Sequence, residues 1–355
     1  MADFMNDFGK RLLRARKMAG FSLQDLADAS GVKISKQALS KYEHGLMKPS
    51  AELLSSIATA LSVSEDYFIR ENTAEFSRIE FRKRARLSKK AEESILEKVR
   101  LFVEKQYEIE NILGITRSFE NPLSELEISS WNDVGKAAEK LRAYWELGTD
   151  PILSVVQTLE TRGVKVFLSQ EVDDFDGLAL YTQDDIPVVV VNIADRPIER
   201  IRFTLVHELA HLLLNFDSAI TEQKNAVEKY CHFFASNFLL PSSKIMLLLG
   251  KKRSYIRLDE LISIKETFGI SIRAIVYRLQ QIGIITEDYR TRWVVYLSKT
   301  FGNKEEPGEF KSREMIRYFH HLVNRALSEG FISIGKAAEL WGVSIHAIRK
   351  GFAGN

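Results

Sequence analysis

Residues Arg202 to Phe216, RFTLVHELAHLLLNF, set two histidines and a glutamate into an apolar helical run, in the order His207-Glu208-x-x-His211. A buried imidazole or carboxylate is costly unless something satisfies it. Positions i and i+4 share one helix face, so His207 and His211 point the same way and can hold one metal ion. Glu208 sits one step round, near such an ion without binding it, where a carboxylate can take a proton from a metal-activated water. Zinc suits imidazole nitrogen and carboxylate oxygen, with a fourth position left open for water. The third ligand is expected to be Glu228, near the start of the next helix, EKYCHFFASNFLLP. Two consecutive helices joined by a short loop run antiparallel and bring that start towards the metal-binding side of the first. Glu222, in the loop itself, is the poorer candidate. The plain alternative is a partly exposed helix carrying a satisfied histidine pair.

The elements needed to position these groups are legible around them. VKVFLS, GLALYT and PVVVVN are apolar, β-branched runs broken by turn residues, and predict a small sheet before the HExxH helix. VGKAAEKLRAYWELG and PILSVVQTLETRG read as amphipathic helices, and further helices follow through Gln281. The metal-bearing domain is therefore placed at 133–298. Residues 299–355 form a C-terminal helical region, in which ISIGKAAELWGVSIHAIRKG has the rhythm of a helix-turn-helix but is read as a helical cap. His320 and His321 are adjacent, face different ways and make a poor metal pair.

Residues 1–70 read as short helices with serine starts and glycine stops, and the tight turn between the second and third suits a helix-turn-helix. The third, SKQALSKYEHG, places Lys36, Gln37, Ser40 and Lys41 on one side, with Leu39 and Tyr42 on the other. Lysine can donate to guanine, glutamine can pair with adenine, and Ser35 can meet a phosphate at the helix start. Between the two domains, 71–132 reads as a helical connector. Its apolar positions Ile95, Val99, Phe102, Val103, Ile109 and Leu113 recur at helical spacing. Arg82, Lys83, Arg84 and Arg86 just before it can add phosphate contacts or form a solvated face.

The chain has 355 residues and a net charge of only +2, so a nucleic-acid surface must be local. A single cysteine, Cys231, suits a reducing compartment. No secretory signal and no bilayer-length apolar run is seen, and a cytoplasmic location with no membrane contact is expected. The fold class expected is α+β and mostly helical.

RFTLVHELAHLLLN followed by EKYCHFFASNFLLP resembles the ImmA/IrrE family of zinc metallopeptidases, over most of 135–245. The resemblance implies a gluzincin-like site in which His207, His211 and Glu228 hold zinc and Glu208 drives peptide hydrolysis. Three positions depart from the family pattern: Ala210 stands for glycine, Cys231 for alanine and His232 for asparagine. His232 is read as a hydrogen-bonding neighbour of the site, Cys231 as a small buried residue and Tyr230 as a possible oxyanion donor. Residues 8–68, with ALSKYEHGLMKPSAELLSSIATALSV, resemble Cro/Xre-type repressor domains. That resemblance implies a structural brace between Arg16 and Glu43. The chain departs from it at Leu23 and in a turn about two residues longer. Together the two resemblances imply a homodimeric regulator of a double-stranded DNA operator. Its peptidase would cleave a protein substrate, a repressor or antitoxin partner or its own linker, in response to stress. The rival is a non-proteolytic repressor or antitoxin whose zincin-like domain senses a ligand or partner.

Overall fold

Serine hydroxyls start about half of the helices. Ser22, Ser35, Ser50, Ser88, Ser130, Ser154, Ser271 and Ser333 each accept a backbone N–H from the first turn that follows, satisfying a donor that the helix cannot. The computed structural model describes residues 2–69, 74–80, 88–116, 118–170, 175–302 and 305–352. The expected basic cluster at Arg82, Lys83, Arg84 and Arg86 lies outside them.

The front of the chain folds as α1 (Ala2–Met18), α2 (Leu23–Ala29), α3 (Lys36–Glu43), α4 (Ala51–Ala60) and a 3-10 turn at Glu65–Ile69. Its core is separate and is built on Phe8, Leu12, Leu26, Leu39, Ile57 and Phe68. Then come β1 (Phe76–Glu80), α5 (Lys89–Ile112), β2 (Glu127–Ile128), α6 (Trp131–Tyr144), α7 (Val155–Thr161), β3 (Lys165–Ser169), β4 (Gly177–Thr182) and β5 (Pro187–Asn192). The helix α8 (Ile198–Leu213) carries the HExxH residues. It leads through β6 (Asn215–Phe216) and α9 (Ser218–Thr221) to α10 (Ala226–Leu239). The remainder is α11 (Ser242–Leu249), α12 (Leu258–Phe268), α13 (Ile272–Gln281), α14 (Glu287–Phe301), α15 (Tyr318–Ser328), α16 (Ile334–Trp341) and α17 (Ile345–Phe352). This is the mostly helical α+β fold that the sequence predicts.

The main sheet has the order β1-β4-β5-β3, with β3 parallel to β5 and the other pairs antiparallel. Every residue of β5, PVVVVN, is buried, as a strand covered on both faces must be. One face packs Ala179, Val189 and Val191 against Leu205 and Leu209 of α8, in a core shared with α6 and α10. The other packs Leu178, Leu180, Val188 and Val190 against Ile95, Val99, Val103 and Tyr107 of α5. The architecture is helix, sheet, helix.

Two elements differ from the expectation of a helical connector. Phe76–Glu80 is a strand, paired antiparallel with β4, because β4 offers an open edge that a local pattern cannot reveal. And α5 is more than a tether: it covers a whole sheet face. The same helix meets the front domain through the Arg11–Glu104 ion pair at 2.5 Å, with both side chains buried. Its far end meets the tail, where Ile109 packs with Phe319, Leu322 and Val323.

Candidate metal centre and helix-turn-helix surface

The HExxH helix is held in place before it is decorated. Arg202, fully buried, donates to the carbonyl oxygens of Ile152, Phe268 and Gly269 and to the Glu314 carboxylate at 2.5 Å. Glu314 in turn accepts the backbone N–H groups of Val155 and Val156 at the start of α7. A single charged pair thus ties α7, α8, the end of α12 and the irregular segment before α15. Burial draws the Arg202 guanidinium below its usual range, opposed chiefly by the Glu314 charge.

One and a half turns further on, the three expected ligands converge. The Nε2 atoms of His207 and His211 are 3.1 Å apart. Glu228 places Oε1 3.3 Å from His211 Nε2 and Oε2 3.6 Å from His207 Nε2. Ligands about 2.05 Å from a tetrahedral zinc stand roughly 3.3 Å from one another. The donor set and its spacing therefore fit such an ion. α10 runs against α8 and delivers Glu228 from its first turn. His207 is fully buried and Glu228 is partly open, so access is from the Glu228 side.

Glu208 is fully buried on the sheet side of α8. Gly177, the first residue of β4, makes this approach possible. A Cβ there would lie 2.9 Å from Glu208 Cγ, from Thr204 Cγ2 and from the Val190 carbonyl oxygen. His232, one turn after Glu228, donates from Nδ1 to the Glu228 carbonyl at 2.6 Å. Its ring lies 4.4 Å from that of His207, and it has a ring nitrogen within 4.8 Å of the ligand atoms of His207 and Glu228. Cys231 is fully buried in the main core. Tyr230 stacks on Trp131 at 4.1 Å. Being two residues from Glu228, it lies towards the far side of α10, so these contacts do not make it an oxyanion donor.

In the front domain, Ser35 caps α3 by accepting the Ala38 N–H at 3.2 Å. Lys36, Gln37 and Lys41 are exposed, Ser40 is partly so, and Leu39 and Tyr42 are buried. Arg16 grips Glu43 with two bonds, Nε at 2.6 Å and Nη2 at 2.9 Å, and also donates to the Phe21 carbonyl. That fork fixes α1 against the end of α3, as the resemblance implied. Sequence reasoning missed the Arg202–Glu314 anchor. Arg202 stood in the quoted motif, but its partner lies 112 residues away. The available signal was a charged residue at the start of an apolar run, between Ile201 and Phe203.

Comparison with known proteins agrees with both halves. The family described as "Helix-turn-helix" matches residues 12–68, and the one described as "IrrE N-terminal-like domain" matches residues 159–280. The SPbeta prophage-derived HTH-type transcriptional regulator YonR of Bacillus subtilis is 36% identical over 69 residues, 19% of this chain and 62% of the relative. The HTH-type transcriptional regulator Rv0474 of Mycobacterium tuberculosis is 47% identical over 58 residues, 16% of this chain and 40% of the relative. The chain thus spans about three fifths and two fifths of these relatives' lengths. Among the described residues no helix is long and apolar enough to cross a membrane. By these matches, and by the folds that carry them, the chain joins a Cro/Xre-type helix-turn-helix domain at residues 12–68 to an IrrE N-terminal-like domain at residues 159–280.

Proposed function

We propose that the chain is a cytoplasmic, DNA-binding transcriptional regulator with a zinc-dependent endopeptidase domain. It cleaves a repressor or antitoxin partner, or its own linker, in response to stress. The observation that carries this reading is the convergence of His207, His211 and Glu228 at 3.1–3.6 Å, with the buried Glu208 on the same helix as the two histidines. Bound there, zinc would supply Lewis acidity, polarising a peptide carbonyl and acidifying a water.

The chain's own groups do the rest. His207 and His211 face one point because four residues separate them on a rigid helix. Glu208, set by the close fit to Gly177, accepts the proton of the attacking water and delivers it to the departing amide nitrogen. His232 fixes the backbone at Glu228 and so the direction of that ligand. On the DNA side, Ser35 and Ser40 meet phosphates, while Lys36, Gln37 and Lys41 face base edges and backbone. A homodimer would present two such helices to paired half-sites.

Replacing Glu208→Gln tests the enzyme directly. The variant should keep about one zinc per chain and lose hydrolysis by a factor of about 10²–10⁴, and it should co-purify with an uncut protein identifiable by mass spectrometry. A variant that retains every regulatory effect of the wild type would leave the domain as a sensor and overturn the peptidase reading.

A further inference from the structure

The tail repeats the geometry of the front domain. In both places a serine caps a helix through the N–H three residues on: Asp25 to Ser22 and Lys336 to Ser333, each at 3.1 Å. Nine positions after each serine stands a glycine, Gly31 and Gly342, both with φ near +70°. That left-handed conformation suits glycine and turns the chain sharply. A buried alanine lies four residues before each glycine, Ala27 and Ala338, where a larger side chain would separate the helices. A valine follows each glycine, and then a second serine caps the next helix: Ala38 to Ser35 and Ala347 to Ser344, each at 3.2 Å. In both second helices the residue after that alanine is buried, Leu39 and Ile348, and a lysine follows two further on, Lys41 and Lys350. The turns differ only in length, with Val343–Ser344 in the tail against Val32–Ser35 in front.

From this correspondence we infer that α16 and α17 form a second helix-turn-helix, and that α17 presents a second surface for double-stranded DNA. Covering α5 does not explain α17. That task falls to α15, whose Phe319, Leu322 and Val323 pack with Ile109. Within Ile345–Lys350 only Ile348 is buried. His346, Arg349 and Lys350 are exposed, and the helix carries no acid. Arginine can pair with guanine or a phosphate and lysine with a phosphate. The exposed Val343 and Ile345 at the start of the helix have the chemistry to touch thymine methyl groups. A chain with net charge +2 thus carries two basic residues and no acid on this short helix.

The test uses the full chain and a labelled mixed-sequence duplex, read by fluorescence anisotropy over a salt series. In a Lys36→Ala/Gln37→Ala/Lys41→Ala background, binding should persist. Adding Arg349→Ala/Lys350→Ala should weaken it about tenfold or more and flatten the log K against log salt slope by about 2, two phosphates at roughly 0.9 each. Thermal melts should match, since both side chains lie on the surface. No binding in the background, or an unchanged slope in the combined variant, overturns the inference. So does a loss that light scattering traces to a broken dimer, which would make α17 a protein contact.

Discussion

At the residue scale the candidate site depends on close fit as much as on ligand type. Gly177 sits where any Cβ would meet Glu208, Thr204 and a backbone carbonyl at 2.9 Å. Gly177→Ala should therefore cost about 1–3 kcal/mol in urea unfolding. It should lower peptidase turnover more than zinc content, because it moves the proton acceptor and not the ligands. His211→Ala should do the reverse and lower zinc retained after dialysis by at least tenfold, measured by elemental analysis. The HExxH residues were legible in the sequence because i and i+4 share a face whatever surrounds them. The approach of Glu228 followed from the short loop between α8 and α10. The Gly177 contact was not legible, since nothing in GLALYT says which helix lies against its first residue.

Among the elements, α5 carries the most. Its Ile95–Val99–Val103 stripe was readable as a helix face, but its polar residues conceal two further interfaces. Glu104 is buried against Arg11 of α1, and Glu110 against Lys165 of β3. Removing one partner of a buried pair leaves a desolvated charge, so Arg11→Ala should cost about 3 kcal/mol; Arg14, 3.6 Å from Glu104, limits the loss. Calorimetry should show the front domain melting ahead of the rest. Replacing the pair together, Arg11→Met with Glu104→Leu, should restore most of the cooperativity. The same helix packs on the sheet and pairs with α1, and so is a continuous physical link between the layer under α8 and the helix-turn-helix domain.

At the scale of the whole molecule, the tail is tied to the sheet layer by carboxylates. Glu160 of α7 accepts the N–H groups of Arg317 and Tyr318 at the start of α15. Burial pushes its carboxyl up to about 7 from an ordinary 4.5, outweighing those hydrogen bonds. The folded chain therefore keeps this proton after the unfolded chain has lost it. Its contribution to stability is whole below about pH 4.5 and is lost as pH rises through about 7. Unfolding free energies from urea titrations should fall across that window by up to about 3 kcal/mol. Glu160→Gln, which still offers an accepting oxygen, should flatten the profile and raise stability at pH 8. Unchanged pH dependence in that variant would show that the tail's attachment does not titrate through Glu160.

What the sequence determined alone was whatever depends on neighbours a few residues away. The HExxH spacing, the serine caps, the glycine stops, the buried run of β5 and the rhythm shared by front and tail all have periods shorter than a helix. The tertiary structure decided what depends on which surface is left open for which. It made Phe76–Glu80 a strand, gave α5 three partners, and joined Arg202 to Glu314 across 112 residues. It also set α15 of the tail against α5 and left most of α17 exposed. Short-range pattern sets each backbone's preference, but an open strand edge or a desolvated charge is satisfied only by a group that the folded chain brings to it.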